Sequence, residues 1–309
     1  MSGKQAISVV VPVYNSAATL EGLAGQIAEA LAEREWELVL VNDASPDASW
    51  EVIARLAAAD PRIRGLDLLR NYGQHGALLS GIRAARHPIV VTVDDDLQHP
   101  PDEIPKLLER LERGDVDVVY GEAIVRSFDV KRNLATAVTK LALRGAMGSD
   151  FAGKVSPFRA FRTEIRAAFA AFSGPYVSVD VLLSWGTSRF ASIPVEHHPR
   201  AVGRSNYTLR KLASHALTML TGFSTRPLRF ASILGLVATF LGIVMFAYVV
   251  VRYTLSGSPV PGFPFLASAI ALFSGAQLLT LGIIGEYLAR VHVRLLDKPT
   301  YAVRGETEQ

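Results

Sequence analysis

The sequence contains no cysteine, which excludes disulfides and thiolate metal sites. It carries little net charge, since 32 Lys and Arg against 29 Asp and Glu leave +3. That balance, with no basic block interleaved with aromatics, gives no reason to expect nucleic acid as a partner. No Walker glycine loop occurs, so the chain is not a P-loop phosphotransferase. Met1–Ala6 lacks the apolar stretch of a signal peptide, and the run Ile7–Val13 is short and strand-like. The first part of the chain is therefore expected on the cytoplasmic side of whatever membrane holds it. Charge is scarce overall: 20% of residues are charged and 50% hydrophobic, too apolar for an ordinary soluble chain. The excess sits in the last third. A length of 309 residues allows one large domain or a domain with an appendage.

What is present begins with alternation. Ile7–Val13, Glu37–Val41, Gly65–Leu69, Pro88–Val93 and Asp117–Tyr120 read as strands. Helical patterns fall between them, near Ala18–Ala32, Asp47–Ala58, His75–Arg86 and Asp102–Arg113. Strands separated by helices of that length predict an α/β fold with a mostly parallel sheet and right-handed crossovers. Polar residues follow every strand: Tyr14-Asn15, Asn42-Asp43, Arg70-Asn71-Tyr72-Gly73, Asp94-Asp95-Asp96 and Gly121-Glu122. Open α/β sheets bind ligands at that carboxyl edge. Residues 123–205 are less regular, with a basic helix expected over Asp129–Arg144 and a strand within Arg189–His197.

Asn206–Phe223 is amphipathic, with Leu209, Leu212, Ala213, Ala216, Leu217 and Leu220 on one helical face. Such a helix lies either in a membrane interface or against the head. Phe230–Val251 and Phe263–Gly285 carry no charge. Each is long enough at ~1.5 Å per residue to cross ~30 Å of hydrocarbon, so two spans in a hairpin are expected. Arg210, Lys211, Arg226 and Arg229 precede the first span, and Arg290, Arg294 and Lys298 follow the second. Only Arg252 lies in the link, so both termini are expected to be cytoplasmic. Gly235 and Gly242 share one face of the first span, as Gly275 and Gly282 do in the second. Small residues so placed permit close packing against the other span or another copy of the chain.

The strongest local signal is Asp94-Asp95-Asp96-Leu97-Gln98-His99-Pro100-Pro101. Three adjacent carboxylates at the end of a buried strand repel one another unless a cation neutralises them. Carboxylate oxygens suit Mg²⁺ or Mn²⁺, and Mg²⁺ commonly binds one or two carboxylates together with substrate phosphates. A diphosphate-bearing donor follows from that pairing. Asp43 sits in a strand-end crevice, where it could accept from a base or ribose. Asp47 reads instead as a helix cap.

Val11-Pro12-Val13-Tyr14-Asn15, Val41-Asn42-Asp43-Ala44-Ser45-Pro46-Asp47, Arg70-Asn71-Tyr72-Gly73-Gln74-His75 and the acidic motif occur in an order that resembles family 2 (GT-A) glycosyltransferases. With Arg200-Ala201-Val202-Gly203-Arg204-Ser205-Asn206-Tyr207, the chain is similar to the polyisoprenyl-phosphate branch. That branch includes dolichyl-phosphate mannose synthase and the bacterial undecaprenyl-phosphate glucosyl- and aminoarabinosyl-transferases. Arg226-Pro227-Leu228-Arg229, Gly275-Ala276-Gln277 and Gly285-Glu286-Tyr287-Leu288-Ala289-Arg290 are similar to its two-span bacterial members. Asn206 stands where many members have lysine, Asn15 replaces a frequent glutamate, and Glu122-Ala123 stands in place of a frequent arginine.

The resemblance implies a Rossmann-like GT-A domain over residues 1–205. A juxtamembrane helix over 206–225, a hairpin over 226–296 and a tail over 297–309 would follow. Pro12, Tyr14, Asn15, Asp43, Asp94 and Asp95 would hold a nucleotide-sugar donor, with a UDP-sugar favoured. Asp94, Asp96 and Gln98 would serve Mg²⁺ or Mn²⁺ and the diphosphate, Asp96 as direct ligand. Arg132, Thr136, Arg200 and Arg204 would receive the phosphate of a polyisoprenyl lipid, undecaprenyl phosphate being favoured. Arg200, with Asp94 and Asp96, would act at the reacting centre. The implied setting is a bacterial inner membrane, the head cytoplasmic. A phosphate acceptor with a pKa near ~6 is mostly dianionic at neutral pH and needs no general base, so inversion by in-line displacement is expected. His197 and His198 read as a strand-end surface pair. A processive polysaccharide synthase would share the donor site but usually carries Gln-x-x-Arg-Trp. Here Trp185 is followed by Gly186 and that motif is absent. A non-catalytic sugar-nucleotide-binding protein gives no reason for the acidic triplet and Arg200 to occur together.

Overall fold

The computed structural model describes residues 4–123, 154–174, 177–198, 226–256, 262–296 and 298–307. The amphipathic segment Asn206–Phe223 and the helix expected over Asp129–Arg144 lie outside them. The first half of the chain alternates strand and helix: β1 (Ile7–Val13), α1 (Leu20–Ala30), β2 (Trp36–Asn42), α2 (Ser49–Ala59), β3 (Ile63–Leu68), α3 (Gln74–Ala84), β4 (Ile89–Thr92), α4 (Ile104–Glu112) and β5 (Val118–Ala123). Then come β6 (Arg159–Arg162), α5 (Val179–Gly186), β7 (Phe190–Val195), two long helices α6 (Arg226–Ser256) and α7 (Gly262–Leu295), and β8 (Val303–Glu306).

The strands form one sheet in the order β7-β5-β6-β4-β1-β2-β3-β8. β4, β1, β2 and β3 run parallel, as do β5 and β7. β6 is antiparallel to both of its neighbours, and β8 is antiparallel to β3. The alternating pattern has a direct physical result. Every residue of β1 and β2 is buried, because helices cover both faces of the sheet. Ile7, Val9, Val11 and Val13 pack on one face with Leu20, Leu23 and Ile27 of α1 and Leu107 and Leu111 of α4. Val10, Val39 and Val41 point the other way, against Ala77, Leu78 and Ile82 of α3 and Leu182 of α5. The α3 backbone lies close to the sheet at Gly81, where a Cβ would come within 2.4 Å of Val10 Cγ1.

The expected helix over Asp102–Arg113 is divided. Pro101–Glu103 forms a 3₁₀ turn and α4 proper starts at Ile104, with Pro105 in its first turn where a missing N–H costs nothing. The expected spans lie within α6 and α7. α6 runs to Ser256, so the link between the helices is shorter than the sequence suggests. Gly242 of α6 faces the ring of Phe273 of α7, where an added Cβ would lie 3.3 Å away. Both helices leave large apolar side chains uncovered, among them Phe240, Phe246, Leu278 and Leu288. Among the described residues, one helix is long and apolar enough to cross a membrane, Leu228–Arg252, with mean hydropathy 2.5.

Beyond α7 the chain does not trail away. Residues expected only as a tail return to the sheet as β8 and cover the outer edge of β3. The short β8 (Val-Arg-Gly-Glu) has no hydrophobic alternation to announce it.

Candidate active site

The carboxyl ends of β1, β2, β3 and β4 meet at a cavity of about 270 Å³. It is lined by Pro12, Val13 and Tyr14 after β1, Asp43 after β2, Asn71, Gly73 and Gln74 after β3, and Asp94, Asp95 and Asp96 after β4. The chain turns sharply at each of these ends. Asn15, Ala44 and Leu97 have φ of 57°, 52° and 58°, the left-handed region that residues with a Cβ rarely adopt. Gly73, at φ 80°, takes a similar turn without strain and opens α3.

The carboxylates of the cavity have distinct surroundings. Asp43 is buried and accepts from the backbone N–H groups of Tyr72 (2.7 Å) and Gly73 (2.8 Å). Burial nevertheless pushes its pKa up. Asp95 accepts from the Tyr14 N–H at 3.1 Å and the Ser16 hydroxyl at 2.6 Å. Asp96 accepts from the Gln98 N–H at 3.2 Å. Asp94 accepts from Gln74 Nε2 at 2.6 Å. Burial, then the charges of Asp96 and Asp95, raise its pKa to about 7, against the opposing pull of Arg159. Asp47 is a brace rather than a ligand: it accepts from Ser49 N–H and Oγ–H, and from Ala17 N–H.

Arg159 belongs to a buried network beneath this edge that sequence reasoning missed. Its guanidinium pairs with Asp180 and donates from Nε to Thr92 Oγ1 at 3.0 Å, while Tyr120 OH donates to Asp180 at 3.1 Å. The one signal in the sequence is an arginine inside the apolar run Phe158-Arg159-Ala160-Phe161.

The structure thus brings together Pro12, Tyr14, Asp43, Asp94, Asp95 and Asp96 of the expected site. Asn15 and Gln98 flank the cavity without lining it: Asn15 N–H donates to Ser45 Oγ at 3.1 Å, and Gln98 O accepts from His198 N–H at 2.8 Å. Arg132, Thr136, Arg200 and Arg204 lie outside the described residues. Asn71, Gly73 and Gln74 join the site from a motif noted in the sequence but given no role. His99 is buried against Phe158 and, edge-on, against His197, with ring centroids 5.3 and 5.0 Å away. Burial, then His197, lowers its pKa to about 4. His197 is half-buried with its ring edge-on to His99, while His198 is exposed beside Glu196.

A divalent cation fits the donor set. Asp94 is a carboxylate whose ionised form is disfavoured by two neighbouring acids, so a cation would relieve its burial. Among the described residues, no group of three or more His, Cys, Asp or Glu side chains is placed to hold a metal by itself. Mg²⁺ commonly binds one or two carboxylates together with phosphate oxygens and water, and Asp94 and Asp96 on the cavity wall suit that pattern.

Residues 8–169 match the sequence profile described as Glycosyl transferase family 2. The chain belongs to glycosyl transferase family 2. It is a glycosyltransferase, and its head has the Rossmann-like GT-A fold with a mostly parallel sheet. Two curated family members show how far the likeness extends. An undecaprenyl-phosphate 4-deoxy-4-formamido-L-arabinose transferase of Pectobacterium carotovorum is 32% identical over 304 residues, covering 96% of this chain and 92% of the relative. The enzyme of the same description from Pseudomonas aeruginosa is 33% identical, with 96% and 89% covered. Among solved structures, glucosyl-3-phosphoglycerate synthase from Mycobacterium tuberculosis, in complex with Mn²⁺, UDP and phosphoglyceric acid, has a TM-score of 0.54 at 20% identity. It covers 70% of this chain and 76% of that one. A mannosyltransferase from Pyrobaculum calidifontis in complex with GDP-Man and Mn²⁺ has a TM-score of 0.52 at 20% identity, covering 96% and 89%. These two likenesses support the family 2 fold.

Proposed function

We propose that this family 2 enzyme transfers a sugar from a nucleotide-sugar donor, UDP-linked by preference, to the phosphate of a polyisoprenyl lipid, and that undecaprenyl phosphate is that lipid. The observation that carries the reading is the strand-end cavity with three adjacent carboxylates, where burial and the two neighbouring acids raise the pKa of Asp94 to about 7. The curated relatives, alike over nearly their whole length, support the acceptor. The Mn²⁺ present in both solved neighbours supports a divalent cation.

In this reading Asp94 and Asp96 hold Mg²⁺ or Mn²⁺, with Gln98 turning the loop behind them. The cation, when bound, neutralises charge that builds on the departing diphosphate. Asp43 fixes the loop carrying Tyr72 and Gly73, and with Pro12 and Tyr14 shapes the slot for the base and ribose. Asn15, by its strained turn, sets the direction in which Tyr14 faces. The acceptor phosphate attacks the anomeric carbon in line and inverts it, needing no base from the protein. Arg132, Thr136, Arg200 and Arg204 are the groups proposed to hold that phosphate and to screen it from the diphosphate.

α6 and α7 are proposed to form a two-span hairpin that keeps the head on the cytoplasmic face of a bacterial inner membrane, preceded by an interfacial helix over 206–225. The apolar side chains left uncovered on both helices support a lipid surround. The test is a panel of radiolabelled nucleotide sugars with membranes, undecaprenyl phosphate and Mg²⁺ or Mn²⁺. Label should pass into the lipid phase with at least one UDP-sugar and stay in water without the cation. Transfer to a growing polysaccharide, or donor binding with no transfer to any lipid phosphate, would overturn the proposal.

A further inference from the structure

The carboxyl-terminal strand bears on the donor cavity through contacts that no motif announces. β8 pairs with the end of β3, with Leu66 opposite Glu306, Asp67 opposite Gly305 and Leu68 opposite Val303, the register slipping between Asp67 and Leu68. Immediately past that slip, Leu69 N–H donates to Ala302 O at 2.9 Å. Arg304 reaches back over the same point, donating to Leu69 O at 3.3 Å and pairing with Asp67 at 3.4 Å. Leu69 opens the loop that carries Asn71 and Gly73 to the cavity wall and leads to Gln74, the first residue of α3.

Two lines of contact run from this junction into the cavity. Along the chain, the loop grips Asp43 through the Tyr72 and Gly73 N–H groups, and Asp94 through Gln74. Across the sheet, Asp67 accepts from Asn42 Nδ2 at 2.7 Å, and Asn42 Oδ1 accepts from Ser45 N–H at 3.2 Å. Ser45 Oγ in turn accepts from Asn15 N–H beside Tyr14. Both walls of the cavity thus trace back to Asp67 and Leu69, and Arg304 touches both. The approach to β8 is also fixed. Thr300 is buried and accepts from Gly174 N–H at 3.0 Å, while Tyr301 lies 5.6 Å from the Arg83 guanidinium.

We propose that β8 is a positioning element of the donor cavity, with Arg304 as its working residue, so that the end of α7 and the loop over residues 69–74 are held as one piece. This rests on the reading of the cavity as the donor site. Arg304 touches no reacting group in this proposal. It acts by holding Asp67 and Leu69, and through them the residues that meet the donor. The Arg304 side chain is 61% exposed, and ion pairs that open to water add little to stability. A purely structural role would therefore change donor affinity only in step with melting temperature, whereas a positioning role moves affinity with little change in melting temperature.

The experiment uses the full chain in detergent or nanodiscs, with UDP and Mn²⁺ as the calorimetric probe beside donor-dependent initial rates. Arg304→Ala should raise the UDP dissociation constant and the donor KM about three- to tenfold, the span of one lost hydrogen-bonded contact, while kcat stays within about twofold. Arg304→Lys should restore most of the loss, and Arg304→Glu, facing Asp67, should deepen it. If all three variants bind UDP as the wild type does, the positioning role is wrong while the donor site stands. If the affinity losses merely follow losses in melting temperature, β8 is structural only. If the wild type binds neither UDP nor GDP with the cation, the donor-site reading itself fails.

Discussion

Ser16 donates its hydroxyl to Oδ2 of Asp95 at 2.6 Å, tying the loop after β1 to the end of β4. The same oxygen accepts from Tyr14 N–H, so Asp95 is committed to the protein in a way that divides the acidic triplet by task. Asp95 braces the Tyr14 loop, and the proposed function then gives Asp94 and Asp96 to the cation. Asp96→Asn should lower turnover by at least about a hundredfold, and EDTA should abolish transfer by the wild type. Asp95→Asn keeps an acceptor for Ser16 and should lose about tenfold or less. Wild-type turnover that survives complete chelation contradicts the metal assignment, and equal losses in the two variants contradict the division.

A pH dependence follows from Asp94. Burial, then Asp96 and Asp95, raise its folded pKa to about 7, against an unfolded value of about 3.9. Between those values the folded state holds more protons than the unfolded one, so this group's contribution to stability falls as pH rises through the window. From about pH 5 to about pH 8 the Asp94 share should take away roughly 1–3 kcal/mol, while His99, whose pKa burial lowers to about 4, contributes in the opposite direction below about pH 6.5. Mg²⁺ or Mn²⁺ should raise the melting temperature more at the higher pH. The Asp94 share is therefore read as the difference in slope between the metal-free wild type and Asp94→Asn, the variant losing less stability as pH rises. Thermal scans with and without cation decide it, and an unchanged slope in the variant removes Asp94 as the cause.

Ala44 has φ 52° at the strand end beside Asp43. A residue with a Cβ is strained there by roughly 1 kcal/mol, and glycine is not. Ala44→Gly should therefore raise stability by about 0.5–1 kcal/mol, a shift of a few degrees in melting temperature. A fall in melting temperature would show that the methyl group contributes more by packing than its backbone costs.

Sealed right-side-out vesicles test the hairpin. Tags before Met1 and after Gln309 should both be protected from added protease, and a tag inserted within residues 256–259 should be cleaved. Cleavage at either terminus would leave the head on the wrong side for a cytoplasmic donor.

The residues proposed to hold the acceptor predict a split in kinetics. Arg132→Ala should weaken the apparent affinity for lipid phosphate about ten- to a hundredfold while donor binding stays near wild type. Arg200→Ala should lower turnover more than either affinity, because its contact strengthens as charge moves onto the leaving diphosphate. Donor calorimetry beside lipid-dependent initial rates reads both. An Arg132→Ala variant that lost donor binding yet kept its lipid response would assign residues 129–136 to the nucleotide pocket.

The sheet from β1 to β5 was legible because polar residues follow every strand and β1, β2, β4 and β5 are rich in β-branched residues, while β3, with Arg64, Gly65 and Asp67, was placed by its spacing between two helical patterns. The cavity was legible for the same reason: Asp43 and Asp94 stand where such strands end. Three features were not. Arg159 and Asp180 are far apart in sequence, and only folding makes them a pair. Gln74 looks like any first-turn residue until its amide is seen on Asp94. β8 has exposed and half-buried side chains with no hydrophobic alternation, and it is a strand only because β3 offers an open edge to pair with.

That last strand has a consequence for the order in which the molecule is made. Because β8 follows α7 in the chain yet belongs to the same sheet as β1, the two long helices are an insertion within the head rather than an appendage to it. The sheet cannot close its β3 edge until residue 306 has left the ribosome, after both helices have been synthesised. Until then the nascent head carries an open parallel edge, the kind of surface that pairs with other chains. A head cut off before α6 would keep that edge open permanently, so a soluble version needs β8 joined back to β7 by a new linker.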